Sequence, residues 1–189
     1  MKRIVTGLSL LLLAGCGPIF GQMTAMTDGV KEFRVVQGDL ADLKGGGPLL
    51  VFGPFAKTAD AFYLCRGEDA ANLSDALRDA GLFQSELNLE RNYDRAEKTA
   101  QQLRGKTAAE LQTELGLSRP PGKLLFGTIL YRRTYIAPAR GIEMEVGYRL
   151  EFYDVASRQS TTVEIGVKFL AEETVQEVVA ELKQKIRGG

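Results

Sequence analysis

The sequence predicts an α+β domain: a two-layer mixed sheet with a C-terminal three-strand antiparallel meander and helices packed mainly on one face. Three observations lead there. Over residues 142–153, Ile142, Met144, Val146, Tyr148, Leu150 and Phe152 alternate with Glu143, Glu145, Gly147, Arg149, Glu151 and Tyr153, the period of a half-buried strand. Val163, Ile165, Val167 and Phe169 repeat the pattern after a polar hairpin loop over 154–160. Val175, Val178, Val179, Leu182 and Ile186 then fall on one helical stripe. Acids (Glu172, Glu173) lead that helix and Lys183, Lys185 and Arg187 end it, matching its dipole at both ends.

The upstream elements follow from local pattern. Phe33 to Val36 predict a short first strand, and Gly45-Gly46-Gly47 a flexible turn, since the lysine and hydroxyl of a phosphate loop are missing. Residues 48–55 form a continuous apolar run between breakers, which reads as a strand buried on both faces. Ala70, Leu73, Ala76, Leu77 and Ala80 predict a helix over 69–80, stopped by Gly81. A partly alternating strand follows over 82–89. Asn92 is placed to cap a polar helix through Leu103, stopped by Gly105. Thr107 and Glu110 have the spacing of a capping box, opening a helix that buries Leu111 and Leu115 and ends at Gly116. After Pro120-Pro121-Gly122 the period changes. Residues 124–136 read as a strand whose alternation is interrupted at Tyr131-Arg132-Arg133, and 138–141 turn it into the next strand.

Composition narrows the chemistry. The 24 basic and 24 acidic residues cancel, so nothing marks the chain for polyanions, and nucleic acid is not an expected partner. The chain has no histidine, which removes the commonest general base and metal ligand and with them the Ser-His-Asp, papain-like and usual zinc chemistries. The acidic pairs Glu68/Asp69 and Glu172/Glu173 sit at predicted helix starts, where carboxylates complement the dipole better than they serve as a glycosidase pair. No catalytic residue, cofactor or metal site is expected.

At the amino terminus, Lys2 and Arg3 precede an apolar run that ends in Leu10 to Leu13, roughly half the ~20 residues a membrane span needs. Leu13-Ala14-Gly15-Cys16 closes it. These four residues resemble the lipobox of bacterial lipoproteins, and the resemblance implies a signal peptide over 1–15 and palmitate-type lipidation of Cys16 as the mature amino terminus. By resemblance to enterobacterial sorting, in which an aspartate after the cysteine retains lipoproteins at the inner membrane, Gly17 implies the outer membrane facing the periplasm, with the inner membrane as the alternative. Small polar residues over 16–32 read as a tether, and 33–189 as one domain. With Cys16 acylated, Cys65 is the remaining thiol; within Phe62-Tyr63-Leu64-Cys65 it is expected to be buried, with an intermolecular disulfide as the alternative.

The succession of elements from residue 49 to 186 resembles the core of envelope lipoproteins related to the TolB amino-terminal domain and the curli-secretion lipoproteins. The matching pieces are Leu49-Leu50-Val51-Phe52-Gly53-Pro54-Phe55, Leu73-Ser74-Asp75-Ala76-Leu77 through Gly81-Leu82-Phe83, Lys123 to Ile129, and Tyr148 to Asp154. The resemblance implies a non-enzymatic, lipid-anchored binding protein of envelope assembly, secretion or cell-wall synthesis. An accessory lipoprotein of a transport system, binding lipid or a small apolar ligand between sheet and helices, is the alternative. Tyr131, Arg132, Arg133, Tyr135 and Arg140 are the candidate partner surface, because aromatic and arginine side chains are enriched at interfaces; an ordinary solvated strand end is the competing reading. The charged face carrying Glu143, Glu145, Arg149 and Glu151 is a second candidate.

Cys16→Ser is expected to abolish metabolic palmitate labelling; label persisting in that variant would sink the lipoprotein assignment.

Overall fold

The computed structural model describes residues 28–61, 67–138 and 140–188; the lipobox with Cys16 and the segment bearing Cys65 lie outside them. Within the described residues the elements are β1 (Gly29–Gln37), β2 (Pro48–Lys57), α1 (Glu68–Asp79), β3 (Gln84–Leu89), α2 (Ala96–Arg104), α3 (Ala108–Leu115), β4 (Lys123–Ala137), β5 (Gly141–Asp154), β6 (Ser160–Leu170) and α4 (Thr174–Gly188). The class is α+β. The strands form one six-stranded mixed sheet in the order β1-β6-β5-β4-β2-β3. β2 runs parallel to β3 and β4, whereas β4–β5, β5–β6 and β1–β6 pair antiparallel.

Strand parity determines what each face buries. Leu49 and Val51 of β2, Leu125 and Ile129 of β4 and Val146, Tyr148, Leu150 and Phe152 of β5 point to one side. There they meet Ala70, Leu73 and Leu77 of α1 and the whole predicted stripe of α4. The opposite side carries Leu50 and Phe52, Leu124 and Phe126, and Tyr153, covered by Leu103 of α2 and Leu111 of α3. The expectation of two layers with helices mainly on one face is therefore corrected: two helices cover each side, in three layers. The physical reason is the pair β2–β4, whose apolar side chains occur at both parities and need shielding on both sides.

The local signals explain most boundaries. The capping box forms as expected: the Thr107 hydroxyl accepts from the Glu110 amide at 3.3 Å, and the Glu110 carboxylate accepts from the Thr107 amide at 2.8 Å. Asn92 caps a short 3-10 turn, Tyr93–Arg95, before α2 begins. β1 begins at Gly29, upstream of the expected start at Phe33, because Val30 and Phe33 both pack against the main core once a bulge between Val30 and Glu32 resets the register. Gly53 is a packing requirement, since a Cβ there would lie 2.6 Å from Leu89 and 2.7 Å from Ala70. The β2–β4 register breaks between Phe52 and Ala56, where Pro54 has no amide to give the ladder.

At the far end of β5, Asp154 accepts from Lys123 Nζ at 2.7 Å and from the Ser157 amide at 2.8 Å. Partial burial pushes its carboxyl up, but the bonds from Lys123 and Ser157 outweigh that and hold its pKa at about 2. A folded-state value below the ordinary 3.8 contributes stability above that pH, which is lost as pH falls toward about 2. Asp154→Asn is expected to flatten this acid limb of a urea-midpoint against pH profile. In the smaller core, Leu111→Ala is expected to cost about 2–5 kcal/mol by urea titration; a change within about 0.5 kcal/mol would mean that α3 does not seal the second face.

Candidate functional site

The five residues of the predicted partner surface do not share one face. A register shift in the β4–β5 ladder between Ile129 and Tyr131 inserts Leu130 as a bulge and inverts the parity of everything after it. Arg132 consequently points toward α1, where its guanidinium is 6% and the Asp69 carboxylate 8% exposed, and the two form an ion pair. The Tyr148 hydroxyl donates to Asp69 at 2.7 Å and accepts from Arg132 at 3.3 Å. Burial first, then the neighbouring carboxylate of Asp69, pushes the Tyr148 phenol well above its ordinary range. Asp69 at the start of α1 thus does more than complement a helix dipole: it ties the helix to the sheet. Its partner is far away in sequence, so no local pattern revealed it.

Tyr131 turns to the other face and lies across two glycines, Gly147 and Gly166, at either of which a Cβ would overlap the ring or its hydroxyl. Arg133 and Tyr135 share that face. Arg133 is 65% exposed, 3.7 Å from Glu145, and the Tyr135 hydroxyl donates to Glu145 at 3.0 Å. Arg140 belongs to an ion cluster at the hairpin turn, paired with Asp28 and, at 3.1 Å, with the buried Glu143, which also faces Lys168 at 3.5 Å. Arg149 and Glu151 of the second candidate face are likewise engaged, Arg149 with Glu164 at 2.7 Å and Glu151 with Arg104 at 2.6 Å.

A cleft of about 1040 Å³ opens at the opposite end of the sheet, where β2 and β3 begin. The predicted glycine turn forms its wall, with Gly45, Gly46 and Gly47 all at positive φ. A Cβ on Gly46 would come 2.5 Å from the Leu82 carbonyl oxygen, so the loop presses directly on the α1–β3 connection. Lys44, Arg78, Arg119 and Arg187 line the cleft with one carboxylate, Glu86; Arg78 also pairs with Asp75 at 2.5 Å and Arg119 donates to Gln84. Bonds from Ser118, whose amide lies at 3.1 Å, hold Glu86 below its ordinary range. Arg187 reaches the Gly81 carbonyl at 3.4 Å, supporting the end of α1, but a guanidinium has five donors and keeps several for a ligand. The glycines form the turn that the sequence predicts; the cations around them come from four separate regions of the chain.

A groove of about 800 Å³ lies beside α2, where the helices stop short of β5, β6 and β1. Phe52, Phe55, Tyr93 and Phe126 give it apolar walls, and Arg104 stacks 3.8 Å over the Phe126 ring. Among the described residues, no group of three or more Cys, Asp or Glu side chains is placed to hold a metal ion, and no helix is long and apolar enough to cross a membrane.

The sequence matches no protein-family model and no curated protein. Among solved structures, the fold is similar to a PelC dodecamer from Paraburkholderia phytofirmans, with 13% identity, 82% of this chain and 93% of that one covered, and a TM-score of 0.46. A point variant of the same dodecamer gives 15% identity, 82% and 94% coverage and a TM-score of 0.45. The hypothetical protein CT253 from Chlamydia trachomatis gives 14% identity, 77% and 100% coverage and a TM-score of 0.43.

Arg132→Glu is expected to destabilise the domain by about 3–5 kcal/mol, because it sets a second carboxylate beside Asp69 in a buried position. Arg133→Glu, on the exposed face of the same strand, is expected to stay within about 0.5 kcal/mol. Urea denaturation of the two variants checks both.

Proposed function

We propose that this chain is a non-enzymatic binding protein of the bacterial envelope, anchored by lipid on Cys16 in the outer membrane and facing the periplasm, where it holds a partner in assembly, secretion or cell-wall synthesis. The lipobox supports the address, and the resemblance to TolB-type and curli-secretion lipoproteins supports the class, with β4, β5 and β6 read as the C-terminal meander of that core. The observation that carries the contact site is the cationic, glycine-walled cleft, with four basic side chains against one acid. Cations around exposed backbone favour an anionic group on the partner, such as a carboxylate-rich segment or a phosphate. A photo-crosslinker at Ser118, on the rim, is expected to capture an envelope protein in intact cells, and Lys44→Glu with Arg119→Glu to abolish that capture without loss of fold. Undiminished capture in the double variant would remove the cleft from the contact.

The aromatic groove beside α2 favours the transport-accessory reading, in which lipid or a small apolar ligand lies between sheet and helix. Native mass spectrometry tests it: co-purified lipid lost on Phe126→Asp supports the groove, and a ligand-free mass in mild detergent counts against it.

A further inference from the structure

The β4–β5 hairpin outruns its neighbours. β2 last pairs with β4 at Ile129, and β6 last pairs with β5 at Glu143, but the β4–β5 ladder continues through Ile136↔Ile142 to Ala137↔Gly141. Ile136 and Ile142, direct cross-strand partners on one side of this ribbon, are 86% and 57% exposed. A lone exposed isoleucine is unremarkable. Two facing each other at the tip of a projecting hairpin form an apolar prow, and Tyr135 and Arg133 occupy the ribbon's other side.

The described residues begin at this same tip. Asp28, the first described residue, is ion-paired with Arg140 in the hairpin turn. Cys16 lies twelve positions earlier. A chain of that length reaches at most about 40 Å. The cleft at the other end of the sheet is roughly 45 Å away along the fifteen residues of β4. An anchor on Cys16 therefore keeps the hairpin end within reach of the bilayer.

We propose that the hairpin tip is a lipid-contacting element, with Ile136 and Ile142 entering the headgroup–acyl boundary of the membrane to which the chain is anchored and Tyr135 and Arg133 at headgroup level. It rests on the reading of Cys16 as lipidated. The occupant is the bilayer because an apolar pair backed by an aromatic ring and the Arg133–Glu145 ion pair, at the end of the sheet where Asp28 lies, matches the polarity gradient of an interface. Seated there, the hairpin adds a second point of attachment to the lipid on Cys16 and orients the domain.

The chain has no tryptophan, so a single indole reports its own position. Full-length Ile136→Trp, reconstituted in phosphatidylethanolamine–phosphatidylglycerol vesicles with brominated acyl chains, is expected to shift its emission to the blue and lose most of its intensity. Ala156→Trp, in the exposed turn at the cleft end, is expected to do neither. An acylated, vesicle-bound chain whose indole at position 136 stays unquenched overturns the hairpin proposal alone. Emission already blue-shifted without lipid, and unquenched by bromine, also overturns it and assigns the tip to a protein contact. Mass spectrometry of the same sample reports acylation separately: quenching in a chain without acyl groups fells the anchor reading and leaves the hairpin standing, and no quenching in such a chain overturns both.

Discussion

Leu49 and Val51 point into one hydrophobic cluster while Leu50 and Phe52, one residue along, point into another, and this two-sided burial of β2 constrains every element around it. A strand dry on both faces needs neighbours on both edges, which β3 and β4 supply in parallel. It also needs a helical layer above and below. α1 approaches so closely that only glycine fits at position 53, between Ala70 and Leu89. α2 and α3, whose sequences are largely polar, are held to the other face by few apolar side chains, chiefly Leu103 and Leu111.

A second constraint is the single-residue bulge at Leu130. Before it, β4 sends odd-numbered residues to the α1 side; after it, even-numbered ones. That inversion turns Arg132 inward to Asp69 and Tyr148, and turns Tyr131 outward across Gly147 and Gly166. Burying an ion pair is costly, and here the guanidinium and the phenol share one carboxylate oxygen, Oδ1 of Asp69, while Oδ2 is buried without a hydrogen-bond partner. The same inversion brings Ile136 to the core-side parity, opposite Ile142 of β5, and the pair lies beyond the reach of the helices, which is why it is uncovered.

The molecule thus has two chemically distinct ends. One carries the hairpin and the ion cluster of Asp28, Arg140, Glu143 and Lys168. The other carries the glycine-walled cationic cleft. The sheet between them is a rigid spacer, since its antiparallel ladders run almost the whole length of β4 and β5. In the proposed arrangement the first end meets lipid and the second meets the anionic group of a partner.

Patterns with short periods were legible from the chain alone: the alternation of β5 and β6, the stripe of α4, the capping box at Thr107 and the stop at Gly81 each depend on residues a few positions apart, where local sterics and local hydrogen bonds decide. The unbroken apolar run of β2 even announced burial on both faces, and the irregular Tyr131-Arg132-Arg133 marked the bulge without revealing its consequence. The division of helices between two faces, the Asp69–Arg132–Tyr148 contact and the meeting of Lys44, Arg78, Arg119 and Arg187 around one cleft were settled only in three dimensions. Each of these joins residues from distant parts of the chain, and whether two such side chains meet depends on strand order and on register, which a one-residue slip inverts. The sequence by itself determined which elements exist and which of their faces are apolar; tertiary structure decided which faces meet.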